Sequence, residues 1–130
     1  MFVDASVLVA VLTLEPDASD LTRKIESSAD LITSPIAVFE TVASVARKGF
    51  LRPEETSRDV QAFLDEAGIR MVVVDGSSAD EAIRAHARYG KGSGHPARLN
   101  LGDCFAYAMA KQHGVPLLYK GDDFSSTDLA

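Results

Sequence analysis

Phe2-Val3-Asp4-Ala5-Ser6-Val7-Leu8-Val9-Ala10-Val11-Leu12-Thr13-Leu14 is the stretch from which the fold can be read. Phe2 to Asp4 reads as a short buried strand that ends in an acid. Ser6 to Leu14 reads as a helix closed by Glu15-Pro16, since a residue before proline is pushed out of the helical region. A strand that passes directly into a helix is the repeating unit of α/β folds, and the pattern recurs downstream.

A polar amphipathic segment from about Asp17 to Ser28 leads to a second short strand, Leu31-Ile32-Thr33. Ser34-Pro35 is a helix start, with serine as N-cap and proline at the first helical position. That helix runs to about Lys48 and stops at Gly49. Pro53 opens another, with Val60, Phe63, Leu64 and Ala67 at core spacing and Gly68 at its end. Met71 to Val74 reads as a third strand, an unbroken apolar run of the kind buried on both faces. Ser77 to about Tyr89 is helical, and a glycine-rich basic loop, Lys91 to Asn100, follows. Asn100 can cap the next helix, which ends at Gly114 with Pro116 beyond it. Leu117-Leu118-Tyr119 reads as a fourth strand. The alternation predicts a layered α/β fold around a mainly parallel sheet, with residues 1–130 forming a single domain.

The bulk composition narrows the function. Hydrophobic residues make up 46% and charged residues 25%, as in ordinary globular chains. No apolar run is long enough to span a membrane. Met1 to Leu14 is apolar but lacks a basic leader and carries Asp4, which argues against a signal peptide. Cys104 is the only cysteine, so no internal disulfide forms and a reducing cytoplasm is the expected location. There is no His/Cys set with zinc spacing and no phosphate-cradling Gly-x-x-x-x-Gly-Lys-Ser/Thr loop.

The net charge of −6 looks unfavourable for a nucleic-acid protein. Where the acids fall matters more than their sum. Sites in open parallel α/β sheets form beyond the carboxyl ends of the strands. Asp4 follows the first strand, and Asp122 and Asp123 follow the last one after Lys120-Gly121. Asp103 lies in the first turn of the helix that feeds that last strand. Glu40 lies within a helix among Ile36, Phe39, Val42 and Ala43, on a face continued by Ala43, Ser44 and Arg47. Setting these five acids aside leaves acids and bases almost balanced.

Each of the five also has an ordinary structural reading. Asp4 can cap a helix, and Asp103 suits the positive end of a helix dipole. Asp122 and Asp123 suit a turn, and Glu40 can pair with Arg47 or face solvent. The inference rests on convergence. Carboxylates gathered on one sheet edge without matching bases repel each other, and a hard cation such as Mg²⁺ or Mn²⁺ relieves that repulsion.

Four segments resemble motifs of the VapC-type PIN-domain ribonucleases, the toxins of type II VapBC toxin–antitoxin systems. They are Phe2-Val3-Asp4-Ala5-Ser6-Val7-Leu8-Val9-Ala10; Ser34-Pro35 followed by Phe39-Glu40-Thr41; Leu99-Asn100-Leu101-Gly102-Asp103-Cys104-Phe105-Ala106-Tyr107-Ala108; and Leu117-Leu118-Tyr119-Lys120-Gly121-Asp122-Asp123-Phe124 with Thr127-Asp128. They occur in family order and spacing along the whole chain. The resemblance implies a three-layer α/β/α PIN-like fold, usually dimeric. It also implies Mg²⁺- or Mn²⁺-dependent hydrolysis of RNA phosphodiesters and inhibition by a cognate VapB-like antitoxin. Asp4, Glu40 and Asp103 carry over as metal-site acids. Either Asp122 or Asp123 is the fourth, with Asp123 favoured because it directly precedes phenylalanine.

Ser6 and Asn100 adjoin those acids, and Lys91, His95, Arg98 and Lys120 flank the same edge as candidate RNA contacts. His86 and His113 read as surface residues, Cys104 as a small buried residue, and Tyr107 as a core or dimer contact. A phosphoacceptor signalling domain is a rival reading, with Asp75 as acceptor and Lys120 near the last strand. It would leave Asp103 and Glu40 unexplained and Asp4 without an acidic neighbour. A PIN fold that binds without cleaving is a second rival, and the full acid set argues against it.

Overall fold

A computed structural model describes residues 1–130. The elements are β1 (Phe2–Val3), α1 (Ala5–Leu12), α2 (Ala18–Glu26), β2 (Leu31–Thr33), α3 (Pro35–Gly49), α4 (Pro53–Ala67), β3 (Ile69–Met71), α5 (Gly76–Tyr89), α6 (Leu101–His113) and β4 (Leu117–Leu118). The four strands form one sheet in the order β3-β2-β1-β4, and every pairing is parallel.

Side chains alternate across a strand, and here the alternation builds two cores. Phe2, Ile32 and Leu117 point to one face of the sheet, where they meet α5 and α6 through Ala82, Tyr89, Ala106 and Met109. Their neighbours Val3, Leu31 and Leu118 point to the other, against Val7 and Leu8 of α1, Ile25 of α2 and Leu64 of α4. The result is a three-layer α/β/α arrangement. Helix α3 straddles it, with Ala37 in the first core and Val38 and Val42 packed on the second. It therefore touches both α1 and α6.

Local signals set the helix ends. Ser34 caps α3 by accepting the Ala37 N–H at 3.2 Å, with Pro35 at the first helical position. Gly68 and Gly114 end α4 and α6 in left-handed conformations that a side chain would strain.

The third strand departs from the sequence expectation. It spans Ile69–Met71, not Met71 to Val74, and it is not buried on both faces: Val73 is 78% exposed and Met71 is exposed. Gly68 turns the chain straight into Ile69, so pairing starts earlier than the apolar run suggests. The strand is at the sheet edge and its only partner, β2, ends at Thr33. Val72 still donates to the Thr33 carbonyl at 2.9 Å and turns inward, whereas Val73 turns out. The first strand stops before Asp4 and the fourth before Tyr119. The segment from about Asp17 to Ser28 is helix α2. No helix is long and apolar enough to cross a membrane.

Candidate active site

Parallel strands linked by returning helices start their helices at the carboxyl edge of the sheet. Three of the candidate acids sit at or near such starts: Asp4 before α1, Asp103 in the first turn of α6 and Glu40 on α3. The chain after β4 returns to the same edge and carries Asp122 and Asp123.

Asp4 is both a cap and a member of this group. It is 6% exposed, and its Oδ2 accepts the Ser6 N–H at 2.9 Å and the Ser6 hydroxyl at 2.5 Å. Its Oδ1 takes neither bond. Burial raises its pKa, the Ser6 hydrogen bonds oppose the rise, and the Asp123 charge adds to it. Ser6 Oγ also accepts the Lys120 backbone N–H at 3.0 Å, which ties the start of α1 to the chain leaving β4.

Asp103 repeats the pattern in a capping box. Its Oδ2 accepts the Asn100 N–H at 3.0 Å while Asn100 Oδ1 accepts the Asp103 N–H at 2.9 Å. Burial pushes Asp103 up to about 6; the Asn100 N–H opposes this, and the Asp123 and Asp4 charges add to it. Glu40 is half-buried and accepts no hydrogen bond from any protein group; burial, then the Asp4 and Asp103 charges, push it up to about 7. The Asp4 charge thus acts on Glu40 and Asp103, the Asp103 charge on Glu40, and the Asp123 charge on Asp4 and Asp103. Asp122 acts on none of the three raised acids, and its backbone carbonyl instead holds the turn by accepting from Ser125 at 3.0 Å and 2.6 Å.

None of these acids is in an ion pair. An all-oxygen donor set without a counter-base is the chemistry a hard divalent cation requires. As the side chains stand, no three of them converge closely enough to enclose an ion. Asp123 is exposed and Glu40 is unbonded, so neither is held back from turning inward.

A groove of about 580 Å³ opens from Glu40 and Ser6 along α3. The face of α3 expected to continue Glu40 lines it through Ala43, Ser44 and Arg47. Its walls also hold residues that sequence reading passed over. Glu15 accepts from Lys48 at 3.0 Å and from Lys120, and Lys120 also pairs with Asp17 at 3.0 Å. Lys48 follows Arg47 on α3 and was within reach of a helical-face reading. The pairing with Glu15 joins segments far apart in sequence and left no local signal.

The candidate RNA contacts divide by position. Ser6 and Lys120 line the groove; Lys91, His95, Arg98 and Asn100 do not. Asn100 is the cap of α6. His95 is braced within its loop, with Nδ1 accepting the Ala97 N–H at 3.1 Å and its ring edge-on to Tyr89 at 4.8 Å. Lys91 borders an apolar hollow between α5 and α6. Cys104 is buried, and burial pushes its thiol up to about 11, as befits a packing residue. Asp75, the acceptor of the rival reading, caps α5 by accepting from Ser77 and Ser78.

The comparisons with known proteins agree with this architecture. The PIN domain family pattern matches residues 1–129. A VapC ribonuclease of Rhizobium meliloti is 42% identical over 139 residues, covering 98% of this chain and 98% of its own. Ribonuclease VapC42 of Mycobacterium tuberculosis is 44% identical over 129 residues, covering 99% of this chain and 96% of its own. In structure, VapC20 of Mycobacterium tuberculosis, described as a sarcin-ricin loop cleaving toxin, superimposes with a TM-score of 0.77. It does so over 99% of this chain and 95% of that one, at 17% identity, a likeness of fold. Matched from end to end, with its acids gathered at one sheet edge, this chain belongs to the PIN-domain family, in its VapC branch.

Proposed function

We propose that this protein is a metal-dependent endoribonuclease, the toxin of a type II toxin–antitoxin pair, with Asp4, Glu40, Asp103 and Asp123 as its site acids. One observation carries the reading: Asp4, Glu40 and Asp103 are all raised by burial and by neighbouring acids, Asp123 supplies part of that charge, and no base neutralises any of the four. Asp4 and Asp103 each commit Oδ2 to a helix cap and keep a second carboxylate oxygen free of protein hydrogen bonds, so both would help to hold a Mg²⁺ or Mn²⁺ ion. Glu40 and Asp123 complete the set, and Asp122 remains a turn residue. A cation held there would supply an activated water and offset charge on the phosphate.

The chain's own residues do the rest. Arg47, Lys48 and Lys120 line the groove that leads to Glu40 and suit the phosphates of an RNA strand. Lys91, His95 and Arg98 would meet RNA only beyond that groove. A VapB-like antitoxin would occupy the same groove, placing a basic side chain among the acids and an apolar one against exposed Phe39. Exposed Ile83 and Leu101, beside the hollow between α5 and α6, suit a homodimer contact. A buried, unpaired Cys104 suits the cytoplasm.

Asp103→Asn keeps the shape and the cap acceptor but removes the charge. It should abolish RNA cleavage and growth arrest, and EDTA should do the same to the wild type. Cleavage that persists in either case would remove the metal-site reading.

A further inference from the structure

Gly102 is buried in the first turn of α6, between the N1 residue Leu101 and Asp103. Its backbone does not require glycine, because its φ lies outside the left-handed range adopted by Gly68, Gly114 and Gly121. Helical propensity also opposes it, since glycine destabilises a helix relative to alanine. The space beside it accounts for its presence. A Cβ built on Gly102 falls onto Oε1, Oε2 and Cδ of Glu40 at separations no real side chain adopts. The carboxylate of Glu40, on α3, therefore lies directly against the bare Cα of α6, one residue from Asp103.

We propose that Gly102 is a positioning residue: its missing side chain is what allows Glu40 to join the carboxylate group. This rests on the reading of Glu40 as a site acid. Any side chain at position 102 would meet the carboxylate end of Glu40 and turn it away from Asp103 and Asp4. The neighbour is a flexible side-chain tip, so the fold survives the substitution while the acid is displaced. The other tightly enclosed glycine, Gly90, would meet His86 and its own helix's carbonyl, where backbone and not a site acid is the obstacle.

The test is a double-mutant cycle of Gly102→Ala and Glu40→Ala on the full chain, read by melting in EDTA, by Mn²⁺ titration and by RNA cleavage. Gly102→Ala alone should lower the melting temperature and weaken Mn²⁺ binding and cleavage by about 10- to 100-fold, the usual loss when a residue that orients a metal ligand is changed. In the Glu40→Ala background the sign of the stability effect should reverse. With no carboxylate to strike, alanine is the better helix residue, so the double variant should melt above Glu40→Ala, with no further loss of Mn²⁺ binding. Equal destabilisation in both backgrounds would overturn the proposal, because Gly102 would then serve some other neighbour. If Glu40→Ala alone leaves Mn²⁺ binding and cleavage intact, the site reading of Glu40 fails and the positioning role fails with it. The melting half of the cycle still distinguishes that outcome from an absent contact.

Discussion

Helix α6 carries Asp103 in its first turn and, through Tyr107 and Lys111, binds Asp128 of the C-terminal segment, and the two acids are treated in opposite ways. At its start, Asp103 receives one backbone N–H, faces other carboxylates and is pushed up to about 6. Further along, Tyr107 and Lys111 reach out to Asp128. Lys111 Nζ donates at 2.9 Å, the Tyr107 hydroxyl at 2.8 Å and the Tyr89 hydroxyl at 3.3 Å. Those donors, Lys111 foremost, hold Asp128 down to about 2. Both acids lie in segments that resemble family motifs, so motif membership does not distinguish them. Their surroundings do. An acid supplied with a cation and two hydroxyls is already satisfied and fastens the C-terminal segment to α6. An acid surrounded by acids is satisfied only when something positive arrives.

The largest expected effect is on catalysis. Asp103→Asn should lose at least about 100-fold in RNA cleavage, more than the loss typical of a residue in the layer around a metal. Asp128→Asn should cleave within a few-fold of wild type, measured at a temperature well below its melting point. Comparable losses in the two variants would erase the distinction between the two acids.

Cation binding should show the same contrast through stability. Mg²⁺ at a hundredfold excess over its dissociation constant should stabilise the wild type by about 2.7 kcal/mol. Asp128→Asn should keep that gain and Asp4→Ala should lose most of it. Melting curves in EDTA and in Mg²⁺ provide the check, and an unchanged gain in Asp4→Ala would detach Asp4 from the cation.

The pH response should separate the two environments in the metal-free protein. Glu40, near 7, and Asp103, near 6, keep protons in the folded chain at pH values where the unfolded chain has lost them. Stability in EDTA should therefore fall as pH rises from about 4.5 to 7. Asp128 behaves in the opposite sense. It is ionised in the folded chain below the pH at which the unfolded chain protonates, so its contribution is present above about 3.9 and is lost as pH falls toward 2. Glu40→Gln should flatten the first slope and Asp128→Asn the second. Melting temperature against pH in EDTA reads both, and a Glu40→Gln profile identical to wild type would contradict the raised pKa of Glu40.

Sequence was informative where the deciding interactions are local. Ser34-Pro35, Gly68, Asn100 and Gly114 marked helix ends correctly because capping uses groups within a few residues. The edge strand was misplaced because its extent depends on β2, more than thirty residues away in sequence, and on where Gly68 releases the chain. The same division holds for the acids. Asp4 and Asp103 stood out because each follows or precedes a recognisable element. Asp122 and Asp123 were inseparable because the turn after β4 decides which of them faces the others. The fit of Glu40 against Gly102, and the sharing of Glu15 by Lys48 and Lys120, join distant segments and had no signature along the chain.

The smallest expected effect concerns Asp4, where capping and repulsion act on one side chain. Removing the capping oxygen should cost on the order of 1 kcal/mol. Removing the buried charge should give stability back, because Asp4 is raised by burial and by Asp123 despite its bonds to Ser6. Two substitutions separate the terms. Asp4→Ala loses both the cap and the charge, so its melting temperature in EDTA at pH 7 should lie close to wild type. Asp4→Asn keeps a carbonyl oxygen for the Ser6 N–H and loses only the charge, so it should melt above both. In Mg²⁺ the order should invert, with wild type highest, because only the carboxylate attracts the ion. If Asp4→Asn melts below wild type in EDTA, the Asp4 charge stabilises the start of α1 more than the neighbouring acids penalise it. Asp4 would then belong with Asp128, among the acids that hold the fold together.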